Sequence, residues 1–370
     1  MNRIRKGIVS MKNEKKVLFF VEAMGGGVFT YITNLANALS NRFDIYVAYG
    51  IRPQTPANYM KFFNNNVHLI EVKHFRRDIS LEDLNAFYEM KRIAKKVNPD
   101  IIHLHSSKAG LLGRWAFNGR KVPIFYTPHG YSFLMSGIGK KRQLFFKLIE
   151  KFSALRNSTT ISCSYGERLE TNNMTKRSLY VDNGINIQYI NSVIKTVSKR
   201  KKDKFTIYTL GRISKQKDPY TFNKIASMFP QVKFVWIGDG ELRDVLVAPN
   251  ITITGWMSTK EALKLAINYD AFILTSLWEG LPMALLESMY IEKPCIVSNV
   301  IGNNNVIVPN KNGFLCSNID DYRYAITTLL TKGSPASIVK NAKKSIVEHY
   351  NSQVMADKYA EIYADALYKK

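Results

Sequence analysis

Cysteine is scarce: Cys163, Cys295 and Cys316 are the only three in 370 residues, and none forms a C-x-x-C pair. That spacing supports neither a disulfide framework nor a zinc site, and it fits a reducing cytoplasm. Long apolar runs are also missing. VLFFV at 17–21 follows a basic N-terminus but is far too short for a signal-peptide core or a bilayer span, and no later run approaches about 18 residues. The expectation is a protein neither exported by such a signal nor integral to a membrane. No D-x-D pair occurs, so an acidic metal bridge to a diphosphate is not suggested. The glycine-rich turn at 25–27 is not G-x-G-x-x-G, which weakens a nicotinamide-dinucleotide assignment. Acidic residues are few, with 29 Asp+Glu against 53 Lys+Arg and a net charge of +24. Nucleic acid is one polyanion to weigh against that charge, but no helix-turn-helix, RNP-type or zinc-finger pattern supports it.

The positive charge is concentrated in the first half, where residues 1–200 hold 32 Lys+Arg against 13 Asp+Glu; residues 201–370 hold 21 against 16. Its densest piece is KKRQLFFKLIEKFSALR at 140–156. There Leu144, Phe145, Leu148, Phe152 and Leu155 recur at helical spacing beside Lys140, Lys141, Arg142, Lys147 and Lys151. Two placements are open: a basic amphipathic helix resting on an anionic bilayer, or a helix packing its stripe on its own core.

Apolar strand-like runs alternate with helical patterns through the chain. They are VLFFV, DIYVAY, VHLIEV, DIIHLH, PIFYT and TTISCS, then FTIYTLG, VKFVWIG, ITITG, AFILT and PCIVS. This alternation predicts βαβ units with parallel sheets, and the length suits two domains. The charged stretch at 198–204 is of the kind that joins domains, and puts the boundary in the region 190–204, with domains at 1–190 and 191–350. The tail, 351–370, carries Met355, Tyr359, Ile362, Tyr363, Ala366 and Leu367 at helical spacing, so it is expected as a last helix that could cross back to the first domain. MNRIRKGIVS precedes a second methionine at Met11 and is either an extension or an overcalled start.

The richest segment chemically is SLWEGLPMALLES at 276–288. AFILT before it is expected as a buried strand, Gly280 as a tight turn, and Pro282 as the first position of a helix. Such a helix start directs amides and the positive end of its dipole at the carboxyl end of the strand, where phosphates bind in open α/β sheets. Were Glu279 and Glu287 on one helix they would lie about 12 Å apart along it and roughly 80° apart in azimuth, too far for a close acid/base pair. Two grips on the hydroxyls of one elongated ligand suit them better; a solvated turn carboxylate beside an ordinary amphipathic helix is the bland alternative.

Other strand ends carry glycine. Gly25-Gly26-Gly27 precedes a helix expected near Thr30, Gly211-Arg212 leads to Lys217, and Gly238-Asp239-Gly240 follows the next strand. Arg212 can bind diphosphate oxygens bidentately while Lys217 adds a point charge, unless both merely solubilise a loop. His129, in TPHG at a strand end, is by itself more often a structural histidine than a functional one.

Taken in order, Gly26-Gly27, Thr127-Pro128-His129-Gly130, Asn183-Gly184-Ile185, Gly211-Arg212 with Lys217, Gly238-Asp239-Gly240, and Glu279-Gly280-Leu281-Pro282 through Glu287 resemble the glycosyltransferase family 4 pattern. The resemblance spans nearly the whole chain. It implies the GT-B fold: α/β, two Rossmann-like domains with mostly parallel sheets facing a central cleft, with the acceptor on the first and a nucleotide sugar mainly on the second. It further implies that Arg212 and Lys217 neutralise the diphosphate, that Glu287 binds ribose hydroxyls, and that Glu279 holds the donor sugar, which His129 lies beside. The amides at Gly280, Leu281 and Pro282, and the turns at Gly26, Gly27, Gly211, Gly238, Asp239 and Gly240, would complete the donor site.

Activity, by the same resemblance, is retaining hexosyl transfer without metal or other cofactor from a nucleoside-diphosphate sugar, UDP- or dTDP-linked. VEAMGGGVFTY, HLHSSKAGLLGRWAF and TPHGYSFL look like bacterial enzymes of capsule, exopolysaccharide and O-antigen assembly, some of which transfer rhamnose. Their acceptors are polyprenyl-diphosphate-linked saccharides, so the partners implied are that lipid-linked acceptor and an anionic membrane surface at the cytoplasmic face, with no nucleic acid. Two departures bear on loop geometry: Phe29 stands where many members carry glutamate, and Asp218 follows Lys217 where glycine is common. The rivals are a sugar-nucleotide epimerase on the same fold and a non-catalytic polyanion- or membrane-binding protein.

Overall fold

The computed structural model describes residues 15–76, 80–135, 139–198 and 204–368. The N-terminal decapeptide and most of the charged 198–204 stretch therefore lie outside the described residues. The chain divides into two compact units, one of residues up to Asn183 together with Ser352 onward, the other Gly184–Asn351.

The first unit is built on seven parallel strands: β1 (Lys16–Val21), β2 (Asp44–Tyr49), β3 (Val67–Glu71), β4 (Ile101–His105), β5 (Ile124–Thr127), β6 (Thr159–Ser162) and β7 (Ser178–Tyr180). Their order is β3-β2-β1-β4-β5-β6-β7. β1 shows why its sequence is an unbroken apolar run. Val17, Phe19 and Val21 face one layer of helices while Leu18 and Phe20 face the other, and all five are buried, as a parallel sheet covered on both sides requires. The helix Ser352–Tyr368 contributes Met355, Ala356, Tyr359, Ala360 and Tyr363 to the first of those layers. Arg42 pairs with Asp357 on its rim.

The second unit holds six parallel strands: β8 (Thr206–Leu210), β9 (Lys233–Ile237), β10 (Ile251–Ile253), β11 (Ala271–Leu274), β12 (Cys295–Ser298) and β13 (Phe314–Cys316). They lie in the order β10-β9-β8-β11-β12-β13. The expected 190/191 boundary falls inside the helix Ile187–Ile194, which belongs to this unit. Ile190 and Val193 are buried, and Asn191 accepts a hydrogen bond from the Tyr290 hydroxyl at 2.8 Å.

Every apolar run named from the sequence is a strand. β7 and β13, three residues each at a sheet edge, were not anticipated. In both sheets the strand order reverses once, between β1 and β4 and between β8 and β11. Open α/β sheets bind ligands beyond the carboxyl ends of the strands at such a reversal. The second reversal puts the turns after β8 and β11, with Arg212, Lys217 and Glu279, side by side.

Candidate functional site

In the second unit the turns after β8 and β9 lock together through glycine. Gly211 has φ +142° and Gly238 φ +137°, and a Cβ on Gly238 would stand 2.2 Å from the Gly211 carbonyl oxygen. A Cβ on Gly240 would be equally close to the Ile213 carbonyl. The Ile213 amide donates to the Asp239 carbonyl at 2.9 Å and the Trp236 indole to the Gly211 carbonyl at 2.8 Å. Glycine is needed here because the backbones touch.

The turn after β8 also joins the turn after β11. The Leu277 amide donates to the Gln216 carbonyl at 2.8 Å, and the Thr275 hydroxyl to the Lys217 carbonyl at 2.7 Å. These bonds bring Lys217 to Glu279. Its ammonium donates to Oε1 at 2.6 Å, and the two side chains are only 16% and 7% exposed. Gln216 Nε2 reaches both the Trp278 carbonyl (3.0 Å) and Glu279 Oε2 (3.4 Å).

Arg212 is engaged differently. Its Nε donates to Glu241 Oε2 at 2.8 Å, in a pair that is largely open to solvent. Asp239 is occupied by the Gly240 amide (2.8 Å) and by Arg243 Nη1 (2.7 Å).

The helix expected from Pro282 runs from Met283 to Tyr290, with Pro282 in the capping position one residue earlier and no side chain capping it. Gly280, Leu281 and Pro282 are buried in the turn before it. Gly302, which the sequence did not single out, supports that turn: a Cβ there would lie 2.4 Å from the Gly280 carbonyl oxygen. Glu287 projects from this helix and is 8% exposed. Among the described residues its carboxylate has no hydrogen bond or ion pair, and burial pushes its pKa up to about 7. It is therefore separate from the Lys217–Glu279 pair, as its place on the helix predicts.

In the first unit the helix after β1 begins at Gly26 rather than near Thr30, so Gly26 and Gly27 form its first turn. Phe29 fills the core, with its ring 5.3 Å from Phe62 and 6.3 Å from Phe63. The departure at 29 is thus absorbed by apolar packing. Asp218 has φ +47° and caps the helix Pro219–Met228 by accepting from the Thr221 amide at 3.2 Å. A left-handed residue is needed there, which explains the usual glycine; aspartate tolerates that conformation and adds a cap.

His129 follows β5 with φ +57°. Its Nε2 lies 3.2 Å from His105 Nδ1, and its ring meets Tyr31 edge-on at 4.6 Å. Behind it, His103 Nδ1 is 2.6 Å from the Tyr363 hydroxyl and its Nε2 2.9 Å from Thr127 Oγ1; the Tyr31 hydroxyl donates to that of Tyr359 at 2.6 Å. Burial holds His129 down to about 3 and takes His103 and His105 well below the ordinary range. All three are neutral at physiological pH. The next turn is tied by Glu167, whose carboxylate accepts from the Gly130 amide (2.7 Å) and the Cys163 amide (2.8 Å). Glu167 escaped the sequence reasoning because it belongs to no motif, while Tyr363 was read only as part of a helical stripe and His103 only within the runs DIIHLH and HLHSSKAGLLGRWAF.

Among the described residues no helix is long and apolar enough to cross a membrane, and no group of three or more His, Cys, Asp or Glu could hold a metal ion.

Comparison with known proteins finds two family matches: Glycosyltransferase Family 4 over residues 25–189, and Glycosyl transferases group 1 over residues 191–345. An Escherichia coli UDP-Gal:alpha-D-GlcNAc-diphosphoundecaprenol alpha-1,3-galactosyltransferase is 30% identical over 342 residues, 84% of this chain and 87% of that one. A 41.2 kDa protein of the cps region of Klebsiella pneumoniae is 26% identical over 94% of this chain and 99% of its own. Among solved structures, sucrose-phosphate synthase from Thermosynechococcus elongatus superposes with a TM-score of 0.80 at 15% identity, covering 96% of this chain and 100% of that one. Anabaena HepE in complex with UDP-glucose gives 0.73 at 16% identity, covering 95% and 99%. The two α/β units, each on a parallel sheet, are those of the GT-B fold. The chain belongs to glycosyltransferase family 4 and is a glycosyltransferase.

Proposed function

We propose that the protein is a retaining hexosyltransferase that moves a sugar from a nucleoside-diphosphate sugar, UDP- or dTDP-linked, to a polyprenyl-diphosphate-linked saccharide during assembly of a bacterial surface polysaccharide, at the cytoplasmic face of the membrane. The observation that carries this reading is the Lys217–Glu279 pair at the β8/β11 reversal, with Arg212 on the neighbouring turn. A nucleotide sugar offers both members of that pair a better partner: diphosphate oxygens for the ammonium, sugar hydroxyls for the carboxylate. Arg212 is easily recruited as well, because an exposed pair such as Arg212–Glu241 is worth only about 0–1 kcal/mol. Glu287 would take the ribose hydroxyls, and the neutral His129 would give a sugar hydroxyl an uncharged hydrogen-bonding partner. The lipid-linked acceptor is inferred from the Escherichia coli relative, whose own acceptor is an alpha-D-GlcNAc-diphosphoundecaprenol.

In this reading the bond between the anomeric carbon and the diphosphate oxygen breaks as the acceptor oxygen bonds the same face of the sugar, and the departing diphosphate takes the acceptor's proton. Lys217, Arg212 and the start of the Met283–Tyr290 helix stabilise charge gathering on the leaving group, commonly a large contribution. These cations supply that stabilisation without a metal or other cofactor. Incubating the protein with UDP- and dTDP-sugars, with and without polyprenyl-diphosphate saccharides, and weighing the products decides the matter. Transfer that needs the acceptor is expected; an isomerised donor with no transfer would make the protein an epimerase instead.

A further inference from the structure

We propose that the outward face of the helix Lys140–Ala154 is a docking surface for a bilayer bearing anionic headgroups. The sequence left two placements open for its apolar stripe, and the structure turns it to solvent. Leu144, Phe145, Leu148, Phe152 and Leu155 are 59%, 56%, 43%, 61% and 76% exposed. At about 100° per residue these five occupy an arc of roughly 100°, and they extend about 16 Å along the axis. Isolated exposed apolar residues are ordinary; a contiguous row on one face marks an interaction site.

The inward face is mixed: Phe146 packs against the core of the first unit, and the rest of that face is polar. Glu150 and Ser153 are its buried residues. Arg114 donates to Glu150 Oε2 at 2.7 Å, the Tyr126 hydroxyl to Oε1 at 2.9 Å, and the Trp115 indole to Ser153 Oγ at 3.2 Å. The helix's single acid is thereby withdrawn from the surface and neutralised.

What remains outside is positive. Lys140, Lys141, Arg142 and Lys151 are exposed, and Lys147 lies 5.6 Å from the ring of Phe133. By the helical angle, Lys140, Lys147 and Lys151 line one edge of the apolar arc. Trp115, half exposed, stacks with the Arg156 guanidinium at 5.0 Å beside the other end of the row. Apolar side chains on a face edged by lysine, with an amphipathic aromatic at its margin, match the layering of a bilayer interface. A second copy of the chain fits less well, because a self-complementary interface would set these like charges against each other. The surface deepens the proposed function and rests on it for its purpose, since a polyprenyl-linked acceptor resides in a membrane.

The test is co-sedimentation of the full chain with phosphatidylglycerol/phosphatidylcholine vesicles and with phosphatidylcholine alone, in the absence of donor and acceptor. Two variants change only exposed residues: Phe145→Ser with Phe152→Ser and Leu155→Ser, and Lys140→Gln with Lys141→Gln and Lys151→Gln. Wild type is expected to prefer anionic vesicles by about a hundredfold or more. The lysine variant should lose about a hundredfold, from the attraction of three cations, and the serine variant should lose binding to both compositions. Unchanged melting temperature and unchanged transfer to a short-chain, detergent-soluble acceptor would show that neither variant is misfolded. Wild type that ignores anionic vesicles, or variants that bind as wild type does, would overturn the proposal. So would a wild-type dimer in sedimentation that the serine variant abolishes while vesicle binding persists. Because no substrate enters the binding assay, absence of transferase activity would count against the proposed function without touching this surface.

Discussion

Glu287 offers a quantitative handle on donor recognition. Its carboxyl is buried without a hydrogen-bonding partner among the described residues, and that burial pushes its pKa up to about 7 from an ordinary 4.5. Ribose hydroxyls donating to it would favour the ionised form, so donor binding should expel a proton wherever the free site is still protonated. If the bound carboxylate returns to about 4.5, affinity at pH 5.5 falls roughly 30-fold below that at pH 8.5. Titration calorimetry with a nucleoside-diphosphate sugar is the suitable assay, since its diphosphate does not titrate in this range. Buffers of differing ionisation enthalpy count the released protons.

The same group has a second signature without ligand. Its folded-state pKa is raised, so between about 4.5 and 7 the native state retains a proton the unfolded chain has released. Stability therefore declines as pH rises through that window, by roughly 3 kcal/mol at most. Glu287→Gln should remove the decline and flatten the affinity profile, while weakening binding about 10- to 100-fold through loss of a charge-assisted bond. Wild-type affinity that is level from pH 5.5 to 8.5, or a variant with the wild-type slope, would refute the reasoning.

Other perturbations separate stability from chemistry. Lys217→Ala strands the Glu279 carboxylate in a mostly buried site, so urea denaturation should show a loss of about 3 kcal/mol along with lost transfer. Lys217→Met combined with Glu279→Leu should restore much of the stability and none of the transfer. Arg212→Ala opens only an exposed pair, so stability should change by less than about 1 kcal/mol; kcat/KM should nevertheless drop by about tenfold or more if the guanidinium contacts the diphosphate. Gly238→Ala drives a Cβ to within 2.2 Å of the Gly211 carbonyl oxygen at φ +137°, and thermal melts should show a destabilised protein whose donor affinity falls as well.

Much of the fold was legible because buried parallel strands are unbroken apolar runs, and β1 shows both of its faces covered. β7 and β13 were not, because Ser-Leu-Tyr and Phe-Leu-Cys hold no β-branched residue, whereas β10, equally short and also at an edge, reads Ile-Thr-Ile. At the site, Lys217 and Glu279 stand out within their own segments, but their contact does not. It depends on β8 and β11 being neighbours, and strand order is a property of the whole sheet. Gly302 and Glu167 act by shape and by two backbone hydrogen bonds, and neither leaves a local signature. The helix at 140–154 sets the limit most clearly. Helical spacing is identical whether an apolar stripe faces inward or outward, so periodicity alone identifies the stripe and leaves its direction open. The direction is decided by residues on other elements: Arg114 and Tyr126 draw Glu150 inward and Trp115 draws in Ser153. Once those polar groups are turned to the interior, Leu144, Phe145, Leu148, Phe152 and Leu155, on the opposite side of the helix, face outward to solvent or a membrane.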